Sequence, residues 1–102
     1  MDSLRISFRN LDPSPAAEEQ VRHRAAELMQ ADGRITSCRV VMELGRHGHE
    51  PGSQFHVHLD VVVPGGEIVV REARGDLHAA IRDAFGEARR RLQDHAHRHN
   101  GR

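Results

Sequence analysis

Nine histidines in a chain of 102 residues are the first residues here that could do chemistry. Seven of them fall as His47-x-His49, His56-x-His58 and His95-x-His97-x-His99. Within a strand, a His-x-His pair places both rings on one face, and Asp60 stands two residues further on as a third ligand of the right kind for a transition metal. Two or three ligands without a fixed constellation do not define a centre, however, and an exposed strand face holds two imidazoles equally well without a metal. No metal or cofactor is therefore expected, beyond loose transition-metal binding by the tail in vitro. Catalytic motifs are also missing. There is no nucleophile elbow, phosphate loop or His-Glu-x-x-His helix, and Gly45 and Gly48 around Arg46-His47 lack dinucleotide spacing. The chain reads as a non-enzyme with no small-molecule substrate. Cys38 is the single thiol. It has no internal disulfide partner, which fits a reducing compartment, and it reads as an inert core residue.

Charge narrows the choice of partner. Fifteen basic residues balance 15 acidic ones, and every basic residue is Arg. Neutrality argues against a polycation that coats any nucleic acid. Arg suits bidentate phosphate recognition, although a bias against Lys also follows from genomic base composition. Aromatic content is 3%, with no Trp or Tyr, so a base-stacking platform is not expected. No apolar run approaches a membrane span, and Met1-Asp2-Ser3-Leu4-Arg5 is not a signal peptide. A soluble, cytoplasmic protein without membrane contact is expected.

The elements that must position these residues follow from periodicity. Leu4, Ile6 and Phe8 alternate with Arg5, Ser7 and Arg9, a half-buried strand. Ser14-Pro15 starts a helix, with Ser as cap and Pro in the first turn. Ala17, Val21, Ala25 and Leu28 follow at helical spacing, and the helix ends near Gln30, before Asp32-Gly33. Ile35 to Leu44 is a strand with Cys38, Val40, Met42 and Leu44 on one face. After a glycine-rich loop, Phe55 to Val63 alternates cleanly, and Pro64-Gly65-Gly66 turns it into a strand opened by Ile68 and Val70, an antiparallel hairpin. Asp76 is a candidate cap for a last helix, with Leu77, Ile81, Ala84, Phe85, Ala88 and Leu92 in one stripe. Residues 95–102 are expected to fray. The result is one domain over residues 1–102, of α+β class: a four-stranded sheet in β-α-β-β-β-α order, with two helices packed on one face.

Particular stretches carry a family resemblance. Ile6-Ser7-Phe8-Arg9-Asn10, Arg34-Ile35-Thr36-Ser37-Cys38, Pro64-Gly65-Gly66-Glu67-Ile68, Gly75-Asp76-Leu77-His78-Ala79-Ala80-Ile81 and Arg90-Arg91-Leu92 resemble the ribosome hibernation-promoting factors, also called ribosome-associated inhibitors or sigma-54 modulation proteins. The resemblance implies a protein lodged in the decoding region of the small ribosomal subunit, where it contacts ribosomal RNA. It would exclude messenger and transfer RNA there, silencing translation in starved or stationary cells. The chain resembles a short form without the long forms' dimerisation domain, so a monomer is expected. By the same resemblance, six basic positions on the two helices fall on Arg24, Glu27, Gln30, Glu87, Arg90 and Asp94, and only Arg24 and Arg90 keep the charge. A tyrosine common after the start of the last helix is His78 here. The acids at Glu27, Glu87 and Asp94 keep an alternative open: a family-fold domain that has lost tight RNA binding and regulates a protein partner.

Helical geometry ranks the cations differently. Arg82 and Arg89 lie within about 20° of each other on the last helix, beside His78 and in a sector read as free of acids, whereas Arg90 is flanked by carboxylates. On the sheet, the face opposite the apolar one should carry Arg5, Arg9, Arg39, His56, His58 and Arg71, a wet surface able to meet phosphate. As pH falls through about 6.5 the histidines would add positive charge, so RNA affinity should rise.

Overall fold

The computed structural model describes residues 3–45 and 54–100, with side chains through residue 96. The elements are β1 (Leu4–Arg9), α1 (Pro15–Ala31), β2 (Ser37–Leu44), β3 (Phe55–Val63), β4 (Gly66–Arg74) and α2 (Leu77–Asn100). They form a four-stranded sheet in the order β1-β2-β3-β4, the expected β-α-β-β-β-α arrangement. β3 pairs antiparallel with both β2 and β4, as the short Pro64-Gly65 connection requires of the second pair. β1 runs parallel to β2, which is possible because α1 supplies the long crossover that parallel neighbours need. The periodic pattern of β1 carried no information about this direction.

The local signals act as their chemistry dictates. Ser14 adopts an extended conformation and its Oγ accepts from Ala17 N at 3.1 Å, ahead of Pro15 in the first turn of α1. Such a cap stabilises a helix by about 1 kcal/mol. At the other end Asp32 closes α1, donating its backbone N–H to the Leu28 carbonyl and accepting from Arg34 through its carboxylate. Gly65 takes a φ of +83° directly after Pro64, a pairing that favours Gly in the tight β3–β4 turn. Asp76 precedes α2 and its carbonyl accepts from Ala80 N at 3.0 Å.

The core lies between the helices and one face of the sheet. Val21, Ala25 and Leu28 of α1, Ile81, Ala84, Phe85, Ala88 and Leu92 of α2, and the inward residues of β2, β3 and β4 form one buried cluster. Small alanines let both helices sit close to the sheet, and Met42, Leu59, Ile81 and Leu92 fill the space between. Among the described residues no polar or charged side chain is buried. Leu4, Ile6 and Phe8 on β1 are only partly covered. Burial raises the Cys38 thiol to about 11, so it stays protonated and inert, as expected of a core cysteine.

α2 runs on to Asn100. His95 lies beside Gly66 at the β3–β4 turn, and its Nδ1 lies 3.4 Å from the Arg34 guanidinium. One boundary differs from the sequence reading: β2 begins at Ser37 rather than Ile35, although Thr36 N still donates to the Val62 carbonyl at 2.8 Å.

Candidate nucleic-acid interface

Two surfaces hold the predicted cations. The first is the outer groove between α1 and α2, where Arg24, Glu27 and Leu28 face Phe85, Gly86 and Arg89. Arg24 is half-buried and Arg89 exposed, and neither forms an ion pair or side-chain hydrogen bond with any described residue. The groove continues past Arg89 and Gln93 to Asp32 and Arg34. The arrangement joins one residue that the resemblance singles out, Arg24, with one that helical geometry singles out, Arg89. Helix packing brings them to the same hollow.

The remaining helix candidates are compromised by their surroundings. Arg82 is exposed, but its sector is not free of acids: its Nε donates to Asp83 Oδ1 at 3.1 Å. The reading that it stood clear fails because the carboxylate comes from the very next residue, which a helical wheel places 100° away but a flexible side chain reaches. Arg82, with help from Arg74, holds the Asp83 carboxyl below the usual carboxylate range. Arg90 donates to Glu87, which also accepts from Arg91 at 2.9 Å. Those two guanidiniums push the Glu87 carboxyl down, and the carboxylate in turn offsets part of the charge that Arg90 would offer. Glu27 faces His23 at 3.2 Å.

His78 has a structural task. Its carbonyl accepts from Gln20 Nε2 at 2.9 Å and its Nδ1 bonds Gln20 Oε1, so the start of α2 is laced to α1 by both groups of one amide. Gly86 was missed by sequence reasoning. It lies mid-helix on the groove floor with open space where a Cβ would stand, although glycine costs helix stability. The available signal was an isolated Gly inside a helical stripe.

The second surface is the sheet face turned from the helices. Alternation and register place Arg5, Arg9, Arg39, His56, His58 and Arg71 there, all exposed. Arg39 pairs with Asp60 at 2.8 Å, and Arg71 Nε donates to His58 Nε2. His56, His58 and Asp60 share the face, with Asp60 bonded to Arg39 and His58 to Arg71. Among the described residues no three His, Cys, Asp or Glu side chains gather as a metal site. His47 and His49, and the side chains of His97 and His99, lie outside the described residues.

No described helix is long and apolar enough to cross a membrane. No curated protein sequence matches the chain. Solved structures share its fold. A ribosomal subunit interface protein from Coxiella burnetii aligns with a TM-score of 0.79 and 14% identity over 91% of this chain and 96% of that one. The N-terminal domain of Thermus thermophilus Protein Y aligns with a TM-score of 0.75 and 27% identity over 92% of this chain and 98% of that one. The first, at so low an identity, speaks for the fold alone. The model of the sigma 54 modulation protein / S30EA ribosomal protein family matches residues 4–100, nearly the whole described span, and the chain therefore belongs to that family.

Proposed function

We propose that this protein is a ribosome hibernation factor that binds ribosomal RNA in the decoding region of the small subunit and excludes messenger and transfer RNA. Family membership supports the ribosome as partner. The observation that carries the reading is the groove between the helices. There Arg24 and Arg89 have no acidic partner among the described residues, in a chain of zero net charge. Neutral chains have no general affinity for polyanions, so free guanidiniums gathered at one groove favour a specific phosphate contact. Binding of this kind needs no chemistry, and a cytoplasmic monomer suffices for it.

The test is co-sedimentation of the purified protein with isolated small subunits, large subunits and whole ribosomes across a salt series. Saturable binding to small subunits that weakens steeply with salt is expected, together with inhibition of translation in a purified system. Binding confined to large subunits, or absent even at low salt, would overturn the reading.

A second reading rests on Glu27 inside the groove and on Glu87 occupying Arg90 and Arg91. With these acids the domain would regulate a protein partner instead. A domain of this kind would show no saturable, salt-sensitive binding to small subunits.

A further inference from the structure

The open sheet face carries three registered rows. Arg5 stands beside Arg39, Asp60 and Val69; Ser7 beside Val41, His58 and Arg71; Arg9 beside Glu43, His56 and Ala73. Charge on it is uneven. Arg5, Arg9 and Arg39 crowd the β1–β2 half, and Glu43 is the single acid of those two strand faces. Arg39 is tied to Asp60, whereas Arg5 and Arg9 make no ion pair or side-chain hydrogen bond with any described residue. Arg5 and Arg39 are neighbours in register on the parallel β1–β2 pair, and Asp60 pairs with Arg39 alone, which leaves the Arg5 guanidinium available to an anion. Ser3 and Ser37 line the same hollow as Arg5 and Arg39, with Asp60 and Glu67 completing it. Guanidiniums beside hydroxyls form the donor set that meets phosphate oxygens of a nucleic-acid backbone. Arg5 and Arg9 are four residues apart on one strand face, a span of about 13 Å, enough to reach more than one phosphate of a single strand.

We propose that the β1–β2 half of the open sheet face, through Arg5, Arg9 and Arg39, is a second RNA-backbone contact on the side of the molecule opposite the α1–α2 groove. This inference rests on the ribosome-binding reading and extends it. The domain is not docked on one RNA surface but held between two.

The experiment compares wild-type protein with Arg5→Gln/Arg9→Gln in small-subunit binding across a salt series, with thermal melting as the control for folding. Both replaced residues are exposed and unpaired among the described residues, so no ion pair seen in the structure is lost. The slope of log affinity against log salt should fall by roughly 1 to 2, about 0.7 to 0.9 for each phosphate contact removed. Affinity at low salt should fall at least about tenfold, and Arg5→Lys/Arg9→Lys should recover most of it. If wild-type protein binds and the Gln variant keeps its affinity and slope, the sheet-face contact is wrong and the ribosome-binding reading stands. If wild-type protein does not bind small subunits at all, both fall. A loss that the Lys variant shares, with a matching drop in melting temperature, marks a folding defect and also overturns the assignment.

Discussion

Arg90 and Arg89 are adjacent in sequence and differ in what surrounds them. Arg90 donates to Glu87, while Arg89 lines the groove with Arg24 and has no acidic partner among the described residues. The difference sets an order of effects. Arg24→Gln with Arg89→Gln should reduce small-subunit affinity at least about tenfold, and Arg90→Gln by only about two- to threefold, since Glu87 already cancels part of that charge. Titration by co-sedimentation reads both, and equal losses would show that Glu87 releases Arg90 on binding. Gly86 offers a second check at the same groove. Apart from its chain neighbours and the helix's own backbone, no heavy atom lies within 4 Å of the place a methyl group would take there. Gly86→Ala should therefore raise stability by about 0.5 to 1 kcal/mol in denaturant unfolding. Gly86→Leu should keep the fold but fill the groove floor, so its small-subunit affinity should drop while its unfolding midpoint does not.

At the scale of elements, the α1–β2 junction carries the most connected polar group. Asp32 caps α1 and accepts from the Arg34 side chain at 2.6 and 2.9 Å and from the Arg34 backbone N–H at 3.1 Å. Chiefly through the Arg34 side chain, its carboxyl is held below its ordinary value of 3.8. A carboxyl with a lowered folded pKa stabilises the fold above the unfolded value, and loses that contribution as pH falls through the folded one. Asp32→Asn should therefore cost about 1 kcal/mol near neutral pH. The gap from wild type should begin to narrow below about pH 4 and close as pH falls through the lowered folded value, as seen in thermal melts at several pH values. A gap that stays constant with pH would assign the effect to capping geometry instead. Arg34 also contacts His95 and the Leu92 carbonyl, so the same junction helps dock the far end of α2.

For the whole molecule, Cys38 is a reporter of global opening. It is 2% exposed at the centre of the sheet, and burial raises its thiol to about 11. A thiol reagent at pH near 8 should label it only at the rate at which the core opens, and fast after denaturation, so labelling rates should track unfolding free energy across variants. Much of this architecture was legible in the chain itself. Alternation along Leu4–Arg9 and Phe55–Val63, the Ser14-Pro15 start and the Pro64-Gly65 turn are local signals, because a strand's two-residue period and a helix's cap depend on neighbours in sequence. The side of the sheet that Arg5, Arg39 and Arg71 occupy followed from the same alternation. Other features depend on which distant groups meet, and no local pattern encodes that. The parallel pairing of β1 with β2 and the capture of His78 by Gln20 belong here. So does the line between committed and free cations: Arg82 is taken by Asp83 and Arg71 by His58, while Arg24 and Arg89 meet across two packed helices. Sequence determined which residues carry charge and which face they share. Only packing decided which charges are already spent on neighbours, because an ion pair depends on through-space distance and rotamer rather than on spacing along the chain.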